Sequence, residues 1–221
     1  MIVITGASSG LGAELARVYD AQGLDLFLTG RSEQKLANVL QNIKADTKHQ
    51  TCDLANAADV SSLFDQVDET PTTIIHCAGS GYFGLLQAQQ PEAIEQLIQN
   101  NLTSAINVVR ESVKRYQDKP VNLVIIMSTA AQQPKAQEST YCAVKWAVKG
   151  FVESVRLELK GKPMKLIAVY PGGMATDFWP TSGKALDTEN FIDAKDAAEM
   201  ISGALTNLGN GYVSDITVNR G

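Results

Sequence analysis

The chain has 221 residues, 44% of them hydrophobic and 19% charged, a size and balance that suit one α/β domain with a full core. A formal charge of −5 argues against a nucleic-acid surface, which needs a Lys/Arg excess on its binding face. No apolar run is long enough to span a membrane, and Met1 leads straight into an apolar run with no cleavable leader, so neither a membrane segment nor a secretion signal is expected.

The run 1–5 reads as a strand and passes directly into Thr5-Gly6-Ala7-Ser8-Ser9-Gly10-Leu11-Gly12. Helical period follows over 11–22, then a strand over 24–29, a helix over 33–43 and a short strand ending at Thr51-Cys52. A helix over 57–67, a strand over 73–77 and a helix over 91–116 come next, with Pro91 and Glu92 in its first turn. A strand over 121–127, a helix over 139–160, a strand over 164–170, a helix over 194–208 and a weaker strand over 211–218 complete the pattern. Strands apolar on both faces suit a parallel sheet buried between helices. The alternation predicts right-handed βαβ crossovers and a doubly wound, Rossmann-type sheet of about seven strands with helices on both faces. Residues 1–221 read as a single domain, with one long irregular stretch, 172–193, after a strand end where ligands bind in such sheets.

Gly6, Gly10 and Gly12 lie where the first strand turns into a helix. Lack of a Cβ permits the tight turn and the approach of backbone to a pyrophosphate, and Ser8, Ser9 and Leu11 complete the loop. A glycine-rich turn alone also fits a plain tight turn. The same residues satisfy the G-x-S-x-G of a hydrolase nucleophile elbow, but that order needs a later acid and then a histidine, and only His49 and His76 exist, both early.

The second strand ends in Thr29-Gly30-Arg31, where an NAD enzyme would place an acid for the ribose 2′-hydroxyl. A guanidinium there forks onto a 2′-phosphate, which predicts NADP(H) over NAD(H); the alternative is a solvated Arg at a helix start. Asp53-Leu54, after the third strand, suits an adenine contact or an N-cap and turn equally well.

Tyr141 and Lys145 stand four apart on one helix face, and Ser128 lies thirteen residues before the tyrosine at a strand end. A phenol with pKa near 10 is a poor proton donor and acceptor at neutral pH unless a neighbouring ammonium lowers it. A surface Tyr–Lys pair is the competing reading of the spacing. Cys142 points away from the tyrosine's face and suits packing, whereas Trp146 suits core or a subunit contact. Cys52, Cys77 and Cys142 are odd in number and have no CxxC spacing, so a reducing cytoplasm is expected. His49 and His76 are too scattered for a metal site with them, so no metal is expected.

Taken together, these residues resemble the short-chain dehydrogenase/reductase family, simple reductase subgroup, over almost the whole chain. The family's TGxxxGxG is Thr5 to Gly12, its YxxxK is Tyr141 to Lys145, and its PGxxxT is Pro171-Gly172 to Thr176. Asn101 matches the helix asparagine and Ser128 the serine of the catalytic set. The family's NNAG departs to His76-Cys77-Ala78-Gly79, with both asparagines replaced. The resemblance implies an NADP(H)-dependent reduction of a small carbonyl compound, or oxidation of the matching alcohol. In it Ser128 holds the oxygen, Tyr141 transfers the proton, Lys145 lowers the tyrosine pKa and binds the nicotinamide ribose, and Asn101 anchors a water. Ala78, Gly79, Pro171, Gly172 and Thr176 would line the cofactor site. Tyr82, Phe83, Met174, Phe178 and Trp179 are candidates for the substrate pocket, or for simple loop packing. A homodimer or homotetramer through the helices 91–116 and 139–160 is also implied. A non-catalytic NADP-binding sensor of the same fold is the alternative.

Overall fold

The computed structural model describes residues 1–44, 46–183, 187–206 and 211–221. The elements follow in the order β1 (Ile2–Thr5), α1 (Gly10–Ala21), β2 (Leu26–Gly30), α2 (Glu33–Leu40), β3 (Lys48–Thr51), α3 (Ala57–Asp65), β4 (Thr73–His76), α4 (Pro91–Ile98) and α5 (Ser104–Tyr116). They continue with β5 (Asn122–Ile126), α6 (Ser139–Glu158), β6 (Lys165–Pro171), β7 (Met174–Ala175), α7 (Phe178–Thr181), β8 (Ile192–Asp193), α8 (Ala194–Leu205) and β9 (Asp215–Val218).

Seven strands form one parallel sheet in the order β3-β2-β1-β4-β5-β6-β9. Because side chains alternate across a strand, Val3, Ile74 and Leu123 enter one core with α3, α5 and α6. Ile4, Ile75 and Val124 enter the other core, with α1, α2 and α8. Phe64, Leu15 and Ile74 are fully buried, each contributing roughly 1.5–3 kcal/mol against an exposed position. The strand order reverses between β1 and β4, which opens a crevice at their carboxyl ends.

Local chemistry sets the ends of the helices. Gly23, at φ +78°, stops α1, and its N–H reaches Asp20 O at 2.8 Å while the Leu24 N–H reaches Tyr19 O at 3.2 Å. Ser32 caps α2, Asn56 caps α3 and Asp193 caps α8, while Pro91 opens α4.

Two segments differ from the expectation. The helix expected over 91–116 is α4 and α5 joined by a π turn at Gln99–Thr103, an insertion that periodicity does not reveal. The stretch 172–193 is not wholly irregular: Met174 pairs with Ile192, Ala175 with Asp193, and α7 lies between them. Its residues 184–186 lie outside the described residues, as do 207 and 208 of the helix expected to reach 208.

Candidate active site

A cleft of about 580 Å³ runs along the carboxyl ends of the strands, from Arg31 and Asp53 at one end to Ser128, Tyr141 and Trp179 at the other. Gly6, Ser8, Ser9, Gly10, Leu11, Gly12, Leu54, Ala78, Gly79, Pro171, Gly172 and Thr176 line it.

The glycine loop fits a dinucleotide. Gly6 has φ +74°, and a Cβ there would stand 2.5 Å from Ala78 N; at Gly12 a Cβ would stand 2.3 Å from Gly6 O. These contacts draw the loop against the end of β4 and leave no room for a side chain beside the cleft. Ser9, the N-cap of α1, places no side-chain cap on the helix, so first-turn N–H groups face the cleft free of a competing hydroxyl. The loop and helix start thus suit a diphosphate.

At the adenosine end, Arg31 is exposed and its Nη1 donates to Asn100 Oδ1 at 2.8 Å. Ser32 and Lys35 line the cleft beside it. One Asp53 carboxylate oxygen accepts the Ala55 N–H at 3.1 Å, so the turn role is present while the residue also lines the cleft. A carboxylate at position 30 would not fit, because a Cβ on Gly30 would meet the Ser8 side chain at 2.8 Å.

At the other end, Ser128 leaves β5 beside the Tyr141 phenol, on which its hydroxyl has a pKa-lowering effect. Its Oγ also accepts the Ala130 N–H at 3.1 Å. Lys145 Nζ lies 5.6 Å from the centre of the Tyr141 ring, one turn along α6. Asn101 sits on the π turn, where its Nδ2 donates to Leu97 O at 2.9 Å and Ser80 O at 3.0 Å. Asn101 Oδ1 is buried without a partner among the described residues and points at Gly79, near Lys145 Nζ. Such an orphaned acceptor suits a water or a ligand hydroxyl.

Burial acts on the pair in opposite senses. It pushes the Tyr141 phenol above its usual value, against the lowering effect of the Ser128 hydroxyl, and the nearby Glu138 charge adds to the rise. It lowers Lys145 to about 8. Lys145 is not among the groups that shift the phenol here, so the lowering expected from the lysine is not found and desolvation dominates.

His76 is buried, and its place answers what the loss of the family's asparagine does. Ser104 Oγ donates to Asn100 O at 2.7 Å, so it accepts from His76 Nε2 at 3.5 Å. His76 Nδ1 is then the acceptor for Thr5 Oγ1 at 2.8 Å. Burial, with the Lys145 charge, holds its pKa at about 3, so the imidazole is neutral. The hydrolase role for His76 is lost, since both ring nitrogens are engaged here.

Phe83, Met174, Phe178 and Trp179 line the cleft, but Tyr82 does not belong to its lining. The Tyr82 hydroxyl accepts the Gln90 N–H at 2.9 Å instead, which turns the ring toward the start of α4. Phe83 meets Tyr141 at 5.3 Å between ring centres, and Phe178 meets Tyr141 at 5.9 Å. Cys142 is buried against this cluster, as expected for a packing residue, whereas Trp146 is 46% exposed and is not core. Asn100, Ser80, Glu138 and Asp177 also line the cleft and were not anticipated. Only Glu138 carried a usable signal, a charge three residues before Tyr141.

Among the described residues no cluster suits a metal, and no helix is long and apolar enough to cross a membrane.

The family model described as short chain dehydrogenase matches residues 1–187. A solved short-chain dehydrogenase/reductase from Vibrio parahaemolyticus is 66% identical over all of both chains, with a TM-score of 0.92. A protein named as an uncharacterized oxidoreductase from Staphylococcus haemolyticus is 27% identical over 98% of this chain and 95% of its own. A short-chain dehydrogenase from Sphingobium yanoikuyae, in complex with NADPH, shares the fold at 24% identity and a TM-score of 0.85, over 97% of this chain and 86% of that one.

Proposed function

We propose that this chain, which belongs to the short-chain dehydrogenase family of oxidoreductases, reduces a small carbonyl compound, or oxidises the matching alcohol, with NADP(H) in preference to NAD(H). The observation that carries the reading is the meeting of Ser128, Tyr141 and Lys145 at the far end of a cleft that begins at Arg31. Bound in that cleft, NADPH would supply the hydride. The uncapped start of α1 would hold its diphosphate, and Arg31, with Lys35 beside it, the 2′-phosphate.

Ser128 donates to the substrate carbonyl oxygen and holds it beside the Tyr141 phenol. Tyr141 passes its proton to that oxygen as the carbonyl carbon is reduced, and takes a proton back when an alcohol is oxidised. Lys145 meets the ribose hydroxyls and favours the phenolate once its own ammonium is charged. Asn101 Oδ1 accepts from the water through which Lys145 meets solvent. General acid–base assistance of this type is worth about 10²–10⁴-fold. Phe83, Met174, Phe178 and Trp179 form the wall for an apolar or aromatic substrate, and the described residues 172–183 and 187–193 serve as its lid.

Trp146 and the small exposed positions Ala143, Ala147 and Gly150 give α6 a face suited to a second copy, in a homodimer or homotetramer. Three free cysteines suit a cytoplasmic setting.

Binding of NADPH and NADH to the purified protein, followed by calorimetry, tests the cofactor. A charge-assisted contact worth about 1.5–3 kcal/mol gives NADPH an advantage of roughly 10- to 150-fold, and equal affinities refute the preference. Oxidation of NADPH with a panel of carbonyls tests the chemistry. Turnover that vanishes in Tyr141→Phe while NADPH still binds supports the enzyme. A protein that binds NADPH and turns over nothing is the sensor instead.

A further inference from the structure

Arg31 lies at the end of β2, exposed and on a loop, where a long side chain has many rotamers. Its guanidinium is nevertheless held, and the holder comes from a different layer of the fold. Asn100, on the π turn between α4 and α5, accepts Arg31 Nη1 at 2.8 Å through Oδ1. The same oxygen accepts Gln96 Nε2 at 3.0 Å, and Asn100 Nδ2 donates to Ser80 Oγ at 3.0 Å. Two donors on the oxygen and one acceptor on the nitrogen fix which way the amide faces. The Asn100 carbonyl is fixed too, by Ser104 Oγ at 2.7 Å.

Among the described residues, the bond to Asn100 is the one hydrogen bond that Arg31 makes. It uses an Nη1 proton. The Nε and Nη2 protons, which form the edge that forks onto a phosphate, are left without a protein acceptor. Arg31 and Asn100 both line the main cleft, while Arg31 also lines a second hollow with Asp53, Gln96 and Gln99.

We propose that Asn100 is a specificity-determining positioning residue, which holds Arg31 by Nη1 so that its Nε–Nη2 edge is presented to the 2′-phosphate of the cofactor. This rests on the NADP(H) reading above. Asn100 acts only through Arg31, so it bears on the phosphate and not on the parts that NADPH and NADH share. Holding one rotamer-rich side chain in its bound geometry is worth about 2- to 13-fold in affinity.

The test measures four ligands by calorimetry: NADPH, NADH, adenosine 2′,5′-bisphosphate and 5′-AMP. The last two report the phosphate contact without the nicotinamide. Wild type, Asn100→Ala, Asn100→Asp, Arg31→Ala and the Arg31→Ala/Asn100→Ala double variant are compared. Asn100→Ala is expected to weaken NADPH and the bisphosphate about 3- to 10-fold and to leave NADH and 5′-AMP unchanged. Asn100→Asp weakens the phosphorylated pair further, since a carboxylate occupies Arg31 and repels the 2′-phosphate. In the Arg31→Ala background, Asn100→Ala adds nothing.

Equal losses for NADPH and NADH would overturn the proposal, because they assign Asn100 to the shape of the π turn. A further loss in the double variant would overturn it as well. If Arg31→Ala removes the NADPH preference but Asn100→Ala keeps it, the proposal alone fails. If wild type binds both cofactors equally and Arg31→Ala changes neither, the NADP(H) reading fails and takes the proposal with it.

Discussion

Lys145 Nζ stands 5.6 Å from the centre of the Tyr141 ring, and the two buried groups are displaced in opposite directions from their usual pKa values. Lysine at about 8 is partly neutral just above physiological pH. An anionic dinucleotide beside it favours the ammonium, so binding takes up a proton wherever Lys145 is neutral in the free protein. NADPH affinity is therefore expected to be full below pH 8 and to fall as pH rises through that value. A dissociation constant that climbs several-fold between pH 7 and 9.5 in wild type, and stays flat in Lys145→Met, is the expected pattern. A wild-type profile as flat as the variant's would remove the proton linkage.

His76 gives a second pH dependence, this time in stability. Its folded pKa of about 3 lies below the unfolded value near 6.5. A histidine with a depressed folded pKa binds its proton more readily in the unfolded chain. Stability is thus complete above about 6.5 and is lost as pH falls toward 3, at up to about 1.4 kcal/mol per pH unit. Urea unfolding at pH 7.5 and pH 5 should show a drop in wild type that is reduced in His76→Asn, which has no ring to titrate. If both chains lose the same stability on acidification, other groups dominate and His76 is not the sensor.

The two glycines Gly6 and Gly23 share nearly the same backbone, φ +74° and φ +78°, but not the same surroundings. A Cβ at Gly23 meets nothing within 4 Å, whereas one at Gly6 strikes the Ala78 backbone at 2.5 Å. Gly23→Ala should cost the left-handed strain alone, about 1–2 kcal/mol. Gly6→Ala should cost that plus a clash with backbone that cannot rotate away, and it should abolish NADPH binding. Unfolding midpoints for the two variants separate the terms; equal costs would mean that the loop yields.

Much of this site was legible because it is local. The glycine turn, Tyr141 with Lys145, and Arg31 after Gly30 are each fixed by neighbours in sequence, and βαβ topology brings such segments to one edge. What was not legible depends on contacts across layers. Asn100 meets Arg31 across 69 positions, and its role needs a π turn that apolar periodicity does not mark. Tyr82 packs against the Phe83–Tyr141 cluster without lining the cleft, and the bond from the Gln90 N–H to its hydroxyl is a contact that the sequence does not mark. The dominance of burial at Tyr141 also needs the folded cleft, since a sequence shows the lysine four residues on but not the desolvation of the phenol.

The helix α7 packs directly on a glycine of the loop after β4. A Cβ at Gly81 would lie 2.7 Å from Phe178 Cζ and 2.7 Å from Ser182 Cβ, and the Phe83 N–H reaches Ser182 O at 3.0 Å. Phe178 in turn packs against Trp179, whose Nε1 donates to Met174 O at 2.8 Å. One methyl group at position 81 therefore has to displace α7 from the loop after β4. In a Trp146→Phe background, Trp179 is the one tryptophan left, since the chain has two. Gly81→Ala is expected to shift its emission to longer wavelength as the indole meets water. NADPH affinity should remain within about threefold, because Arg31 and the glycine loop lie at the other end of the cleft. The KM for whichever carbonyl the wild type reduces should rise while kcat falls less, since the lid acts on substrate capture. An unchanged emission spectrum with an unchanged KM would show that Phe178 swings aside at no cost and that α7 does not close the pocket.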